Sequence, residues 1–94
     1  MFTKITEKEA SQLSVGDILI RYPMHGEPVD NFDITKRDEL TIMKVGRVFE
    51  DDIDLLFGVP DEPIFVGLMQ VSMGALHKTK TEIIDEKRWW LYIK

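Results

Sequence analysis

The segment from Leu13 to Arg21 most constrains what this chain can fold into, because a short helix gives way there to a β-strand. Gly16 and Asp17 form a pair typical of turns. Beyond the turn, two sets of side chains alternate at the two-residue period of a strand: Ile18, Ile20 and Tyr22, and Asp17, Leu19 and Arg21. We therefore predict a first strand over residues 17–22 that stops at Pro23, with Ile18 and Ile20 in the core.

One helix is predicted before this strand. Thr6 and Glu9 form a capping box, which predicts a helix from Glu7 to Leu13. Alternation and turn signals predict further strands over residues 39–49, 53–59 and 64–72, and a final hairpin of residues 79–84 and 88–93. Gly46 lies at a change of phase and predicts a β-bulge. Residues 75–78 are assigned to a single helical turn.

These elements predict one domain over residues 1–94, because a second domain would be far below the usual size. The predicted fold is mainly β with one short N-terminal helix. Its sheet is strongly bent, or closed into a small SH3-like β-barrel of about five or six strands. The leucine before the Gly-Asp turn, the alternating aliphatic residues and the long loop after them resemble the start of SH3-like and PUA-like domains. SH3-like domains often bind peptides or nucleic acids beside that loop, which is what the resemblance implies here.

Composition and charge narrow the class of protein. The chain has no cysteine, which excludes disulfides and thiolate metal sites. We see no apolar run with the features of a signal peptide and none long enough to span a bilayer, so a cytoplasmic protein without membrane contact is expected. Residues 27–62 hold eleven acids and four bases, a net charge of −7. This acidic middle makes nucleic acid an unlikely partner.

Two features suggest where a function resides. Residues 23–38 form a long segment without regular periodicity, and such loops are often functional. In the closing strand, alternation places Arg88, Trp90 and Tyr92 on the face opposite Trp89 and Leu91. Exposed aromatic residues beside arginine are typical of binding surfaces. The leading hypothesis is a non-enzymatic binding or adaptor module that engages a protein partner or a second copy of itself. Its predicted contact residues are Arg88, Trp90, Tyr92, His25 and Phe32.

Three alternatives stay open at this point. Trp90 and Tyr92 would be core residues if they pack under the long loop or the N-terminal helix. A nucleic-acid-binding barrel would use the basic C-terminal hairpin, with Lys78, Lys80, Lys87, Arg88 and Lys94 on phosphates. A small enzyme would have its site near His25 or His77, but no catalytic motif is present. No catalytic residue, metal site or cofactor is assigned.

Overall fold

A computed structural model describes residues 1–68 and 74–94, which contain one six-stranded antiparallel sheet. Its strands are β1 (Phe2–Lys4), β2 (Ile18–Arg21), β3 (Thr41–Phe49), β4 (Asp52–Phe57), β5 (Ala75–Thr79) and β6 (Trp89–Tyr92). The helices are α1 (Glu7–Ser11) and α2 (Lys80–Glu86). The strand order β1-β6-β2-β3-β4-β5 places β1 and β5 at opposite edges, so the sheet is not closed into a barrel within this part of the chain. The mainly β prediction is confirmed.

Two local predictions are confirmed in the first half of the chain. The Glu9 carboxylate accepts the backbone N–H of Thr6 at 3.1 Å, which completes the capping box, and α1 ends two residues before the predicted Leu13. The strand pairing shifts between Val45 and Arg47, so the bulge predicted at Gly46 is present. A side chain at Gly46 would lie 3.0 Å from Leu56 Cδ1, because Leu56 folds over the bulge.

The predictions for the second half of the chain are partly wrong. Residues 63–65 form a short 3-10 helix rather than the start of a strand, and residues 69–73 of the predicted strand lie outside the described residues. Residues 75–79 form a strand rather than a helical turn. The predicted strand 79–84 is the helix α2, so β5 and β6 are not a hairpin.

A second capping box explains the helix. Thr79 Oγ1 accepts the backbone N–H of Glu82 at 3.1 Å, and the Glu82 carboxylate accepts that of Thr79 at 3.0 Å. Ile83 is fully buried against the sheet, which supplies the tertiary packing that so short a helix needs. The chain therefore leaves the sheet after β5, crosses one face as α2 and re-enters near the other edge as β6.

Both faces of the sheet carry a hydrophobic core, which we call the helix-side core and the loop-side core. The helix-side core contains Ala10 of α1 and Ile83 of α2 together with Leu19, Met43, Val45, Ile53, Leu55 and Trp89. The loop-side core contains Ile20, Tyr22, Leu40, Ile42, Phe65 and Trp90, with Phe2, Phe32, Ile34 and Tyr92 packed against it. Consecutive residues of one strand therefore enter different cores, as Leu19 and Ile20 do. No helix of the described residues is long and apolar enough to cross a membrane.

Candidate functional site

The closing strand β6 is buried on both faces. Trp89 is fully buried in the helix-side core, where its Nε1 donates to the Glu86 carboxylate at 2.9 Å. Trp90 points to the opposite side, as the alternation predicts, but is only 7% exposed. Tyr92 is half-buried between Phe2 and Phe65. The predicted exposure is therefore wrong for Trp90, which packs under the long loop against Phe32. Tyr92 keeps part of its surface exposed and contacts Phe2 and Phe65 rather than the loop.

The long loop is fastened to the sheet by the residues that the sequence assigned to partner contact. The Phe32 ring stacks on Phe2 with 4.1 Å between centroids and lies 5.6 Å from Trp90. Arg88 Nη2 donates to the carbonyl oxygen of Gly26 at 2.8 Å, and its Nη1 donates to that of Pro23 at 3.3 Å. Arg88 and Trp90 thus hold the loop, the first through its carbonyl oxygens and the second through Phe32. Of the five predicted contact residues, His25 is the exposed one.

The cations of the alternative nucleic-acid hypothesis do not share one surface. Lys78 forms an ion pair with Glu86 of α2 on the helix side, whereas Lys94 pairs with Glu62 on the loop side. The Glu62 hydrogen bond and negative charge raise the pKa of Lys94. Arg88 is taken up by the loop carbonyls. This arrangement gives the nucleic-acid hypothesis, which also includes Lys80 and Lys87, no support.

The two histidines lie on different elements of the fold. His25 is exposed on the loop, and His77 on β5 lies 3.0 Å from an oxygen of Asp52. Neither lines the cleft or the groove of the loop side described below. Within residues 1–68 and 74–94, no three His, Asp or Glu side chains are grouped closely enough to hold a metal ion.

A cleft opens on the loop side between the long loop and residues 58–68. Its volume is about 420 Å³, within the range of small-ligand pockets. We call it the loop-side cleft. Its walls are mostly apolar and include Met24, Leu40, Ile42 and Val59. Two charged side chains, Arg37 and Asp38, lie at its rim.

Over the other half of the loop side, the described part of the chain provides no such cover. We call the side chains of Lys44, Arg47, Asp54, Leu56, Ala75 and His77 the open half-face. Register pairs Leu56 with Lys44 on β3 and with Ala75 on β5, and pairs Asp54 with Arg47 and His77. Leu56 is 46% exposed, although Leu55 beside it is fully buried on the helix side. A large apolar side chain thus lies in a row with a lysine and an alanine at the surface.

A groove of about 530 Å³ follows the border between the covered and open parts of the loop side. Leu56 and Lys44 form one wall of this groove, and residues 58–62 form the other. Its far end is bounded by Lys94, which pairs with Glu62. The open half-face is therefore continuous with a shallow depression toward the middle of the sheet.

The long loop contacts one of the two edge strands of the sheet. At β1, Lys4 Nζ donates to the carbonyl oxygen of Val29 at 3.2 Å and lies 3.8 Å from Asp30. At β5, the described residues include no strand on the outer side. Gly74 O accepts from Phe57 N, and Lys80 N donates to Asp51 O. Because bonded pairs alternate along an antiparallel ladder, the N–H groups of Ala75 and His77 point away from β4.

Comparison with known proteins does not indicate a family or a function for this chain. No protein-family model matches the chain, and no curated protein or solved structure is significantly similar to it.

Proposed function

We propose that this protein is a non-enzymatic binding module that takes up an extended segment of a protein partner at the β5 edge. The single observation that carries the proposal is the outer side of β5, which no strand of residues 1–68 and 74–94 pairs with, beside an exposed Leu56. An exposed edge offers a row of unpaired N–H and C=O groups, which is what strand addition requires. The proposal rests on this surface and not on the resemblance to SH3-like or PUA-like barrels, which stays a prediction.

The side chains near β5 favour one kind of partner segment. Leu56 and Ala75 are paired across β4 and β5. A strand added beside β5 would place one of its side chains next to Ala75 on the same face of the sheet. Because alanine is small, a large apolar side chain at that position reaches across it to Leu56. Backbone pairing would supply affinity and this apolar contact would supply selectivity. The expected partner segment is therefore an extended one with a large apolar residue opposite Ala75.

The aromatic residues of the closing strand enter this proposal indirectly. Trp90 packs against Phe32 and so helps to hold the loop over one half of the sheet, and that loop contacts β1 through the Lys4 side chain. In this proposal the added strand pairs with β5. Self-association through two β5 edges is the competing outcome, because the same groups would then pair with a second copy.

Selection from a display library of random linear peptides tests the proposal. We expect the enriched peptides to share a large apolar residue and to slow hydrogen exchange at the Ala75 and His77 amides. Sedimentation of the protein alone distinguishes the competing outcome, since pairing with a second copy predicts a dimer. Enriched peptides that leave both amides unprotected would contradict strand addition at β5.

His77→Pro and His77→Ala form a matched pair of variants. Proline removes the outward N–H of His77 but no hydrogen bond to β4, a position that edge strands tolerate. Alanine keeps the N–H, and both variants lose the exposed contact with Asp52. We expect peptide binding to persist in His77→Ala and to be lost in His77→Pro, with similar unfolding midpoints for the two. Equal binding by both variants would contradict the proposal.

A further inference from the structure

The loop-side cleft combines an apolar interior with two opposite charges at its rim. Leu40, Ile42 and Val59 belong to the loop-side core or pack against it, so the floor of the cleft is fixed by the sheet. Arg37 and Asp38, which line the same cleft, are exposed to solvent. A ligand that is apolar at one end and carries complementary charges at the other would match both parts of the cleft.

Arg37 is held in place by the opposite wall. Its Nη1 donates to the carbonyl oxygen of Val66 at 2.8 Å, a contact 29 residues away along the chain. Gly67, with φ of +85°, makes room for it, because a side chain there would lie 3.1 Å from Nη1. A guanidinium carries five N–H donors in a planar fork, so donors remain for a carboxylate.

We infer that the loop-side cleft binds an aliphatic α-amino acid. Arg37 takes the carboxylate, Asp38 takes the ammonium group, and the aliphatic side chain lies against Leu40, Ile42 and Val59. This ligand class is the one that satisfies both rim charges and the apolar floor at once. The site lies apart from β5, so it is independent of the strand-binding proposal.

Titration with three compounds of similar shape tests the assignment. L-leucine carries both charges, 4-methylpentanoic acid lacks the amino group, and 3-methylbutylamine lacks the carboxylate. We expect chemical-shift changes at Leu40, Ile42 and Val59, and an affinity for L-leucine about tenfold or more above that of either analogue. Equal affinity for L-leucine and 4-methylpentanoic acid would overturn the amino-acid assignment, as would the absence of shift changes in this cleft.

Two variants separate the roles of the rim charges. Arg37→Gln should abolish binding of L-leucine and of the acid, whereas Asp38→Asn should weaken L-leucine about tenfold and leave the acid unchanged. Lys36→Gln, at an exposed neighbour that does not line the cleft, is the control and should bind L-leucine as the unmodified protein does. Because Asp38→Asn retains the Arg37–Val66 contact, it tests the site even if Arg37→Gln disturbs the loop. An unchanged L-leucine affinity in both rim variants would overturn the inference.

Discussion

The two halves of the sheet's loop side differ in what covers them. Over β1, β6 and β2, the long loop and residues 58–68 bury an aromatic cluster of Phe2, Phe32, Phe65, Trp90 and Tyr92. Over β4 and β5, the described residues leave Leu56 and Ala75 exposed among charged side chains. Aromatic residues therefore indicate packing in the first half, and the binding surface is expected where the sequence is least aromatic.

The largest expected effect comes from removing the centre of the covered half. Trp90→Ala should lower the free energy of unfolding by about 3–5 kcal/mol, because it empties a packed site under the loop. Urea unfolding measures this loss. A loss below about 1 kcal/mol would place Trp90 at the surface and contradict the description of this half.

A smaller effect is expected from releasing the loop. Arg88→Met keeps the aliphatic stem but removes the hydrogen bonds to Pro23 and Gly26, and should cost about 1–2 kcal/mol. Faster hydrogen exchange confined to residues 23–38 is the expected signature. Lys8→Met, on the exposed side of α1, is the control and should change neither quantity. Unchanged exchange in Arg88→Met would show that the arginine does not hold the loop.

At the start of α2 the chain leaves β5, the strand that borders the open half-face. Thr79→Ala removes the acceptor for the Glu82 N–H and should lower stability by about 1 kcal/mol. Thr79→Ser retains a hydroxyl and should restore most of it. A loss of the same size in both variants would mean that the hydroxyl does not cap the helix.

The same capping box predicts an acid dependence. Hydrogen bonds from the backbone and the side chain of Thr79 hold the pKa of Glu82 below its ordinary value of 4.5. Its contribution to stability is therefore fully present above pH 4.5 and is lost as the pH falls through the lower folded-state pKa. Glu82→Gln should make stability less dependent on pH in this acidic range, as measured by urea unfolding at several pH values.

The smallest effect on stability is expected at the open half-face. Leu56→Lys should change the free energy of unfolding by only about 0.5 kcal/mol, because the side chain is exposed at 46%. Peptides selected on the unmodified protein should nevertheless bind this variant more weakly, since their apolar residue loses its contact. A stability loss as large as that of Trp90→Ala would mean that Leu56 belongs to a covered core.

Local signals in the sequence predicted much of the fold but not which surfaces are covered. The alternation correctly placed Trp89 and Trp90 on opposite faces, and the phase change at Gly46 correctly gave the bulge. Leu19, an apolar residue in the same alternating set as Asp17 and Arg21, is the sign in the sequence that both faces are buried. The Thr79–Glu82 capping box is equally readable in the sequence, and it favours a helix over the predicted hairpin.

The remaining features depend on contacts between distant parts of the chain. Arg88 binds backbone carbonyls 62 and 65 residues away, and carbonyls leave no mark in the sequence. The loop-side cleft joins Arg37 to Gly67, which the sequence gives no reason to pair. That no described strand pairs with the outer side of β5 follows from the strand order, which can be worked out only once α2 is known to cross the sheet.

Amide hydrogen exchange along β5 in the isolated protein tests the central claim most directly. The account predicts slow exchange at Leu76 and Lys78, whose N–H groups point to β4, and fast exchange at Ala75 and His77, whose N–H groups point outward. Added partner peptide should then slow Ala75 and His77 selectively. Protection of Ala75 and His77 equal to that of Leu76 in the monomer without peptide would show that the edge is already occupied, and would contradict the account.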